Sequence, residues 1–380
     1  MFTRRLDRVR CKKERNMKIL HCADIHLGAK IESGLPAAKS EIRRMEVREA
    51  FDKMIGYARS NGIKIILISG DAFDSERPLK KDKEFFYQAV KRNPDITFYY
   101  LRGNHDDLET YTETIDNLKT FGEETVTYED GFIDITGIEL TGKNALSFYS
   151  TVTFRRDRFN ILMLHGQLSD AEGSINIPLK KLADKNLNYL ALGHIHSFDK
   201  GEYSGFTYAY PGCLEGRGFD ETGEKGFIVL DIPDPSGEVK DFTGYEFSAE
   251  FVVNSKRVIK EAHIDVTGAD GVYEISDEAR SALASGGYDK DDILRIYLTG
   301  FTKVYDGSVC KEVENLLKND YFYVNVKDKR RLKVDYESYV SDPGVVGEFI
   351  RRVYSSDLTE GEKAEVAEAG LKAFENGGLL

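Results

Sequence analysis

Paired cysteines, long apolar runs and repeats are all missing from this chain. Its four cysteines, Cys11, Cys22, Cys213 and Cys310, are scattered without paired spacing, which fits a reducing cytoplasm. No window approaches the apolar length needed to cross a bilayer. The first sixteen residues lack any apolar stretch, so they do not read as a secretory signal. No internal repeat or low-complexity tract is visible. Histidine is scarce too, seven in 380 residues, and that scarcity makes the positions of those seven informative.

Net charge is −12, which argues against binding nucleic acid by bulk charge, because phosphate affinity comes chiefly from Lys and Arg. The segment 1–16 carries seven Lys/Arg against two Asp/Glu, leaving −17 on the remainder. It reads as a basic, flexible extension, with either Met1 or Met17 as the start. A polyanionic substrate would need positive charge supplied locally.

At 380 residues the chain exceeds what one core usually holds. The expected division is an extension over 1–16, a first domain over 17–254, a small α/β module over 255–338 and a helical segment over 339–380. Within the first domain, apolar strand-like runs begin at Met17, Ile63, Ile96, Phe159 and Leu187, and each ends in a polar turn. A helical face carrying Val47, Phe51, Met54, Ile55 and Ala58 lies between the first two. Another, with Phe85, Phe86, Ala89 and Val90, precedes Asn93-Pro94. Strand-rich stretches over 125–138 and 206–232 suggest a second sheet or an extension of the first. In the distal module, 263–266, 294–298 and 322–326 read as strands, with a helix through Val309, Val313, Leu316 and Leu317. Two helical stretches close the chain, the last opening on the capping pattern Thr359-x-x-Glu362.

The turns carry the chemistry. They are Asp24-Ile25-His26, Gly70-Asp71-Ala72-Phe73-Asp74, Gly103-Asn104-His105-Asp106, His165-Gly166 and Gly193-His194-Ile195-His196. Any one alone is an ordinary surface turn, since Gly-Asp and Gly-Asn are common turn dipeptides. Five in succession, each closing a strand, read as a polynuclear metal site on the rim where open α/β sheets bind ligands. An ionised carboxylate has two acceptor oxygens and no donor, so Asp71 is the natural bridge between two cations. Mixed oxygen and nitrogen donors suit Mn, Fe or Zn better than Ca or Mg.

This series resembles the signature of the calcineurin-like metallophosphoesterases. His21-Cys22-Ala23-Asp24-Ile25-His26-Leu27-Gly28, Tyr189 through His196, Tyr210-Pro211-Gly212 and Lys225-Gly226-Phe227 further resemble the SbcD-type DNA repair exonucleases. The likeness spans about 17–232, with a weaker echo from Lys256 onward. Cys213 departs from it where family members often carry serine. The resemblance implies an α/β fold: a four-layer α/β/β/α sandwich with a small α/β capping domain and C-terminal helices. It implies one cation held by Asp24, His26, Asp71 and His196, and a second held by Asp71, Asn104, His165 and His194, with manganese the expected metal and Fe or Zn the alternatives. It also implies a cytoplasmic nuclease subunit acting on DNA as a homodimer with an SbcC-type, SMC-like ATPase, and no membrane.

His105, not needed as a ligand, is the candidate to assist the departing 3′ oxygen while activated water attacks phosphorus. Asp106 or Asp107 would orient its ring; the competing reading of His105 is a structural strand-end histidine. Asp74 is either a carboxylate fixing a ligand's orientation or a helix N-cap. Lys327, Lys329, Arg330, Arg331 and Lys333 are either DNA phosphate contacts or a solvated edge. The terminal helices either pack on their own domain or dock the ATPase. Two rivals remain: the same site acting on small-molecule or phosphoprotein substrates, and a non-catalytic scaffold using the fold.

Overall fold

A computed structural model describes residues 16–31, 34–75, 77–106, 114–235, 237–269, 271–302, 307–332 and 336–376. The backbone divides into two compact units, Met1–Lys256 and Arg257–Leu380. The extension 1–15, Asp107 and Lys333 lie outside the described residues.

The first unit begins with β1 (Met17–Cys22), α1 (Ala37–Ser60), β2 (Ile65–Ser69), α2 (Lys80–Lys91), β3 (Thr97–Leu101) and β4 (Leu118–Thr120). It continues through β5 (Val126–Asp130), β6 (Ile133–Gly137), α3 (Ala145–Thr151), β7 (Phe159–His165), β8 (Gln167–Leu168) and β9 (Asn176–Ile177). It ends with β10 (Tyr189–Gly193), β11 (Asp199–Tyr203), β12 (Phe206–Tyr210), β13 (Gly226–Ile232) and β14 (Ser248–Val253). One sheet runs β14-β13-β1-β2-β3-β4 and the other β11-β12-β10-β7-β6-β5.

Alternation along the strands builds the layers. In β2, Ile66 and Ile68 pack with Val47, Phe51 and Met54 of α1, while Ile65 and Leu67 face the other way. Those inner residues meet Ile161 and Met163 of β7 and Tyr189 and Ala191 of β10 in the core between the sheets. On the far side, Leu162, Leu164, Leu190 and Leu192 pack with Phe148 and Tyr149 of α3. The result is the expected sandwich of helix, sheet, sheet and helix. Each fully buried Ile, Leu or Phe stabilises it by about 2 kcal/mol, so central strands can end in buried polar groups and still hold.

β1, β2 and β3 are mutually parallel, as are β7 and β10. Their carboxyl ends meet at one rim, where the Ser69 hydroxyl donates to Ala191 O at 3.3 Å. The stretch 206–232 does not stay in one sheet. β12 belongs to the second and β13 to the first, and the connection between them, 211–225, has consequences for the rim.

The second unit holds β15 (Ile259–Asp265), α4 (Val272–Ser285), β16 (Ile293–Thr299), β17 (Phe301–Thr302), α5 (Val309–Leu317), β18 (Tyr323–Asp328) and β19 (Arg331–Leu332). It finishes with α6 (Tyr336–Val340), α7 (Val345–Tyr354) and α8 (Glu360–Asn376). β15, β16 and β18 form a parallel sheet whose one face packs on α4 and α5. Val346, Ile350 and Val353 of α7 pack with Ala367 and Leu371 of α8, so the apolar faces of the two closing helices cover each other. The capping pattern is present: Glu362 Oε2 accepts from Thr359 N–H at 2.9 Å, and Thr359 Oγ1 accepts from Glu362 N–H at 3.4 Å.

Candidate metal centre

The turns at the rim are strained in the same way. Asp24, His26, Asp71 and His194 have φ of 50°, 51°, 49° and 105°, a region that costs a residue bearing a Cβ on the order of 1–3 kcal/mol. Backbone bonds between the first two turns hold it: Asp24 N–H to Gly70 O and His26 N–H to Asp71 O, both 3.0 Å, and Leu27 N–H to Ala72 O at 2.9 Å. Glycine is required where the loops touch. A Cβ on Gly193 would sit 1.8 Å from Ser69 O, and one on Gly103 would sit 2.1 Å from Asp71 Oδ1.

All seven expected ligands come together. Donor atoms of Asp24, His26 and His196 lie within 4.8 Å of one another, as do those of Asp24, Asp71 and His165. Asp71 Oδ2 stands between the groups, 3.4 Å from His165 Nε2 and 3.9 Å from His26 Nε2. Asn104 Oδ1 is 3.0 Å from His165 Nε2 and 3.2 Å from His194 Nδ1. Asp24, fully buried, accepts His194 N–H on both oxygens at 3.0 Å.

Partners on the far nitrogens set which imidazole atom is free. His165 Nδ1–H donates to Ser69 O at 2.9 Å; a carbonyl only accepts, so in the neutral ring the lone pair is on Nε2, the nitrogen a cation would take in place of a second proton. His196 Nδ1 lies 2.8 Å from Glu221 Oε1, and His26 Nδ1 lies 3.1 Å from Asp74 Oδ1. Three Nε2 atoms are thereby presented inward among carboxylates, the arrangement that carboxylate or carbonyl partners impose on metal-binding histidines. His26 Nε2 and His196 Nε2 approach to 3.2 Å. The donor set fits divalent cations that take nitrogen and oxygen.

Electrostatics agree. Burial lifts the Asp24 carboxyl to about 7, with the Asp71 charge adding to it against His165 and His196. Burial would lift Asp71 too, but hydrogen bonding and charge from His165, and then His26, hold it below the usual carboxylate range. Burial alone would lower His165; Asp71 and Asp24 overcome it and raise the imidazole to about 9. A proton there does in part what a cation would do, offsetting two buried carboxylates. Burial lowers His26 to about 4 despite Asp74.

His105 is exposed beside this cluster. Its backbone N–H donates to Asp71 Oδ1 at 2.9 Å, and its ring meets His26 edge-on with centroids 5.4 Å apart. Asp106 requires a correction. Its carboxylate accepts backbone N–H groups of Ala72 at 3.2 Å, Phe73 at 3.0 Å and Gly103 at 3.0 Å. It fixes the loop that carries His105 rather than the ring, because three orphan donors of two turns converge on it. Asp74 is not a helix cap either: α2 begins at Lys80, and Asp74 faces His26 instead.

Arg217 and Glu221, unremarked in the sequence, stand behind the cluster. Arg217 Nη1 donates to Asp74 Oδ1 at 2.7 Å and Nη2 to Glu221 Oε1 at 2.5 Å. They sit on the irregular connection between the two sheets, with no periodicity to mark them. Their only signal was position, between Pro211-Gly212 and Lys225-Gly226-Phe227. His21 is buried on β1, its Nδ1 2.9 Å from Tyr189 Oη, as suits a core residue. Of the distal basic run, Lys327, Lys329 and Arg331 are exposed, while Arg330 is buried and paired with Asp328 at 2.7 Å. Arg330 is therefore not the phosphate contact expected of it, since its guanidinium is committed to that carboxylate. No helix among the described residues is long and apolar enough to cross a membrane.

Residues 17–198 match the family model of calcineurin-like phosphoesterases. The chain is similar to YhaO of Bacillus subtilis, an uncharacterized metallophosphoesterase, with 27% identity over 294 residues, 72% of this chain and 69% of that protein. It is also similar to the DNA double-strand break repair protein Mre11 of Sulfurisphaera tokodaii, with 28% identity over 196 residues, 47% of this chain and 49% of the relative. It thus spans about half the length of that Mre11. Among solved structures, a dimetal phosphatase from Danio rerio aligns over 60% of this chain and 99% of its own, at 12% identity and TM-score 0.39. The strand-end ligand series over 24–196 thus lies within the segment 17–198 that matches the calcineurin-like phosphoesterase model.

Proposed function

We propose that the protein is a two-metal phosphodiesterase that cleaves DNA. The observation that carries this reading is the convergence of three imidazole Nε2 atoms on Asp24 and Asp71, with His165 tied at Nδ1 by Ser69 O, His196 by Glu221, and the Asp74 carboxylate 3.1 Å from His26 Nδ1. One ion would be held by Asp24, His26, Asp71 and His196, the other by Asp71, Asn104, His165 and His194. Two divalent cations, manganese above all, supply activation of water and neutralisation of phosphoryl oxygens when bound.

The residues of the chain do the rest. The Asp71 turn, pinned through Asp106 and His105 N–H, keeps the loop of His105 against the cluster. The exposed His105 ring delivers a proton to the departing 3′ oxygen. Similarity to DNA double-strand break repair proteins supports DNA as substrate; a cytoplasmic homodimer with an SMC-like ATPase belongs to the same proposal. Lys327, Lys329 and Arg331 would meet phosphates from the second unit. A second reading, a phosphodiesterase for small substrates, draws on the net charge of −12.

Purified protein with Mn²⁺ should degrade linear DNA. His105→Ala should abolish this while the metal content, measured by elemental analysis, persists. Turnover of an aryl phosphodiester with no DNA cleavage in any divalent metal would favour the small-substrate reading.

A further inference from the structure

The two halves of the centre are held in different ways. His165 is oriented by a main-chain carbonyl, Ser69 O at 2.9 Å, and His194 lies 3.2 Å from the Asn104 amide oxygen. Side-chain carboxylates stand behind His26 and His196: Glu221 shares a hydrogen bond with His196 Nδ1 at 2.8 Å, and Asp74 Oδ1 lies in ion-pair reach of His26 Nδ1 at 3.1 Å, outside hydrogen-bond geometry. A single guanidinium joins those carboxylates. Arg217 reaches Asp74 with Nη1 at 2.7 Å, and Glu221 Oε1 with Nη2 at 2.5 Å and Nε at 3.0 Å. Its own backbone N–H takes Glu221 Oε2 at 2.7 Å. Both Arg217 and Glu221 are largely buried, with side chains 17% and 3% exposed.

The need for such a brace is local. His26 Nε2 and His196 Nε2 stand 3.2 Å apart, so both rings must be held at a fixed angle if both nitrogens are to face one cation. A planar, two-armed cation suits the task, because its donors keep a fixed angle to two carboxylates at once. Lysine would offer one compact charge and reach one of them. Lys225, whose Nζ donates to His196 O at 2.9 Å, steadies the backbone of that histidine but not its ring.

We propose that Arg217 is a positioning residue for one of the two ion sites. Acting through Asp74 and Glu221, and directly through Nη2, which lies 3.1 Å from His196 Nδ1, it sets the His26 and His196 rings for a divalent cation, while the site on His165 and His194 forms without it. This rests on the two-ion reading above.

The test uses the full chain, stripped with chelator and titrated with Mn²⁺ by calorimetry and equilibrium dialysis, with electron paramagnetic resonance on the same samples. Wild type should take up two ions and show the spectrum of a spin-coupled pair. Arg217→Ala should keep one ion at wild-type affinity and weaken the other about 10–100-fold, the usual effect of losing an outer partner, with the spectrum of isolated Mn²⁺ at sub-saturating metal. Arg217→Lys should fall between the two. Glu221→Gln, which preserves shape, should repeat the selective loss and carries the comparison if Arg217→Ala does not fold. Equal weakening of both ions, or of neither, overturns the positioning role. A wild-type chain that binds no divalent cation overturns the two-ion reading itself.

Discussion

The two units use β-strands in opposite ways. In the first, β2 and β10 are buried along their whole length, and their specialised residues sit at the carboxyl ends. In the second, β15 and β16 alternate between buried and open positions, and their polar residues lie along one face: Glu261, His263 and Asp265, then Arg295 and Tyr297. All seven described non-glycine residues with positive φ belong to the first unit, four of them at the metal centre. None among the described residues of the second is strained in this way. Strain persists where surrounding bonds over-determine it, so a rim where two sheets meet can hold a reactive geometry. A half-open sheet face offers contact area and adaptable side chains, which suits binding rather than chemistry.

Removing the bridge should separate the units most sharply. Asp71→Asn should abolish both metal uptake and turnover, measured by elemental analysis and DNA cleavage, while circular dichroism shows both units folded. His105→Ala should cost about 10²–10⁴ in rate with metal content unchanged. Loss of metal in that variant would move His105 among the ligands and blur the division of tasks at the rim.

Next in size are changes to packing. Gly193→Ala would place a Cβ 1.8 Å from Ser69 O and should destabilise the first unit by more than about 2 kcal/mol, seen as a lower denaturant midpoint. Ile296→Ala, in the core of the second unit, should cost about 2–5 kcal/mol yet leave metal stoichiometry intact. A fall in metal content with Ile296→Ala would show that the units are not independent.

A smaller effect concerns pH. His21 is buried and its imidazole is lowered to about 3 by burial. Above pH 6.5 neither state holds that proton. Between pH 6.5 and 3 the unfolded chain takes it and the folded chain does not, so stability falls with decreasing pH by on the order of 1 kcal/mol per unit. Thermal melts in chelator should show this loss, and His21→Gln should flatten it. An unchanged pH slope in the variant would mean other groups dominate. Smallest of all, Thr359→Ala should remove about 1 kcal/mol from the capping of α8 and nothing from the centre.

Much of this was legible in the chain. Strands buried on both faces are written as apolar runs, so their ends, and the carboxylates and imidazoles there, stand out. The brace was not legible. Arg217 and Asp74 are 143 positions apart, and no local pattern announces that partnership. Asp106 looks catalytic in the sequence because it comes directly after His105, whereas the fold turns it toward the backbone of another turn. Arg330 reads as part of a basic run, and a neighbouring carboxylate draws it inward. α4 is hard to see in the sequence although Ile275, Ala279 and Leu283 share one face, because the intervening residues are charged and small.

By its sequence alone the chain determined which residue types would end its strands, since hydrophobic periodicity specifies where a strand stops and local composition specifies the turn after it. Only the tertiary structure decided which imidazole nitrogen faces the carboxylates, which acid orients a ligand and which pins a loop. A hydrogen bond between distant segments depends on angles and distances that exist only after two sheets have packed face to face.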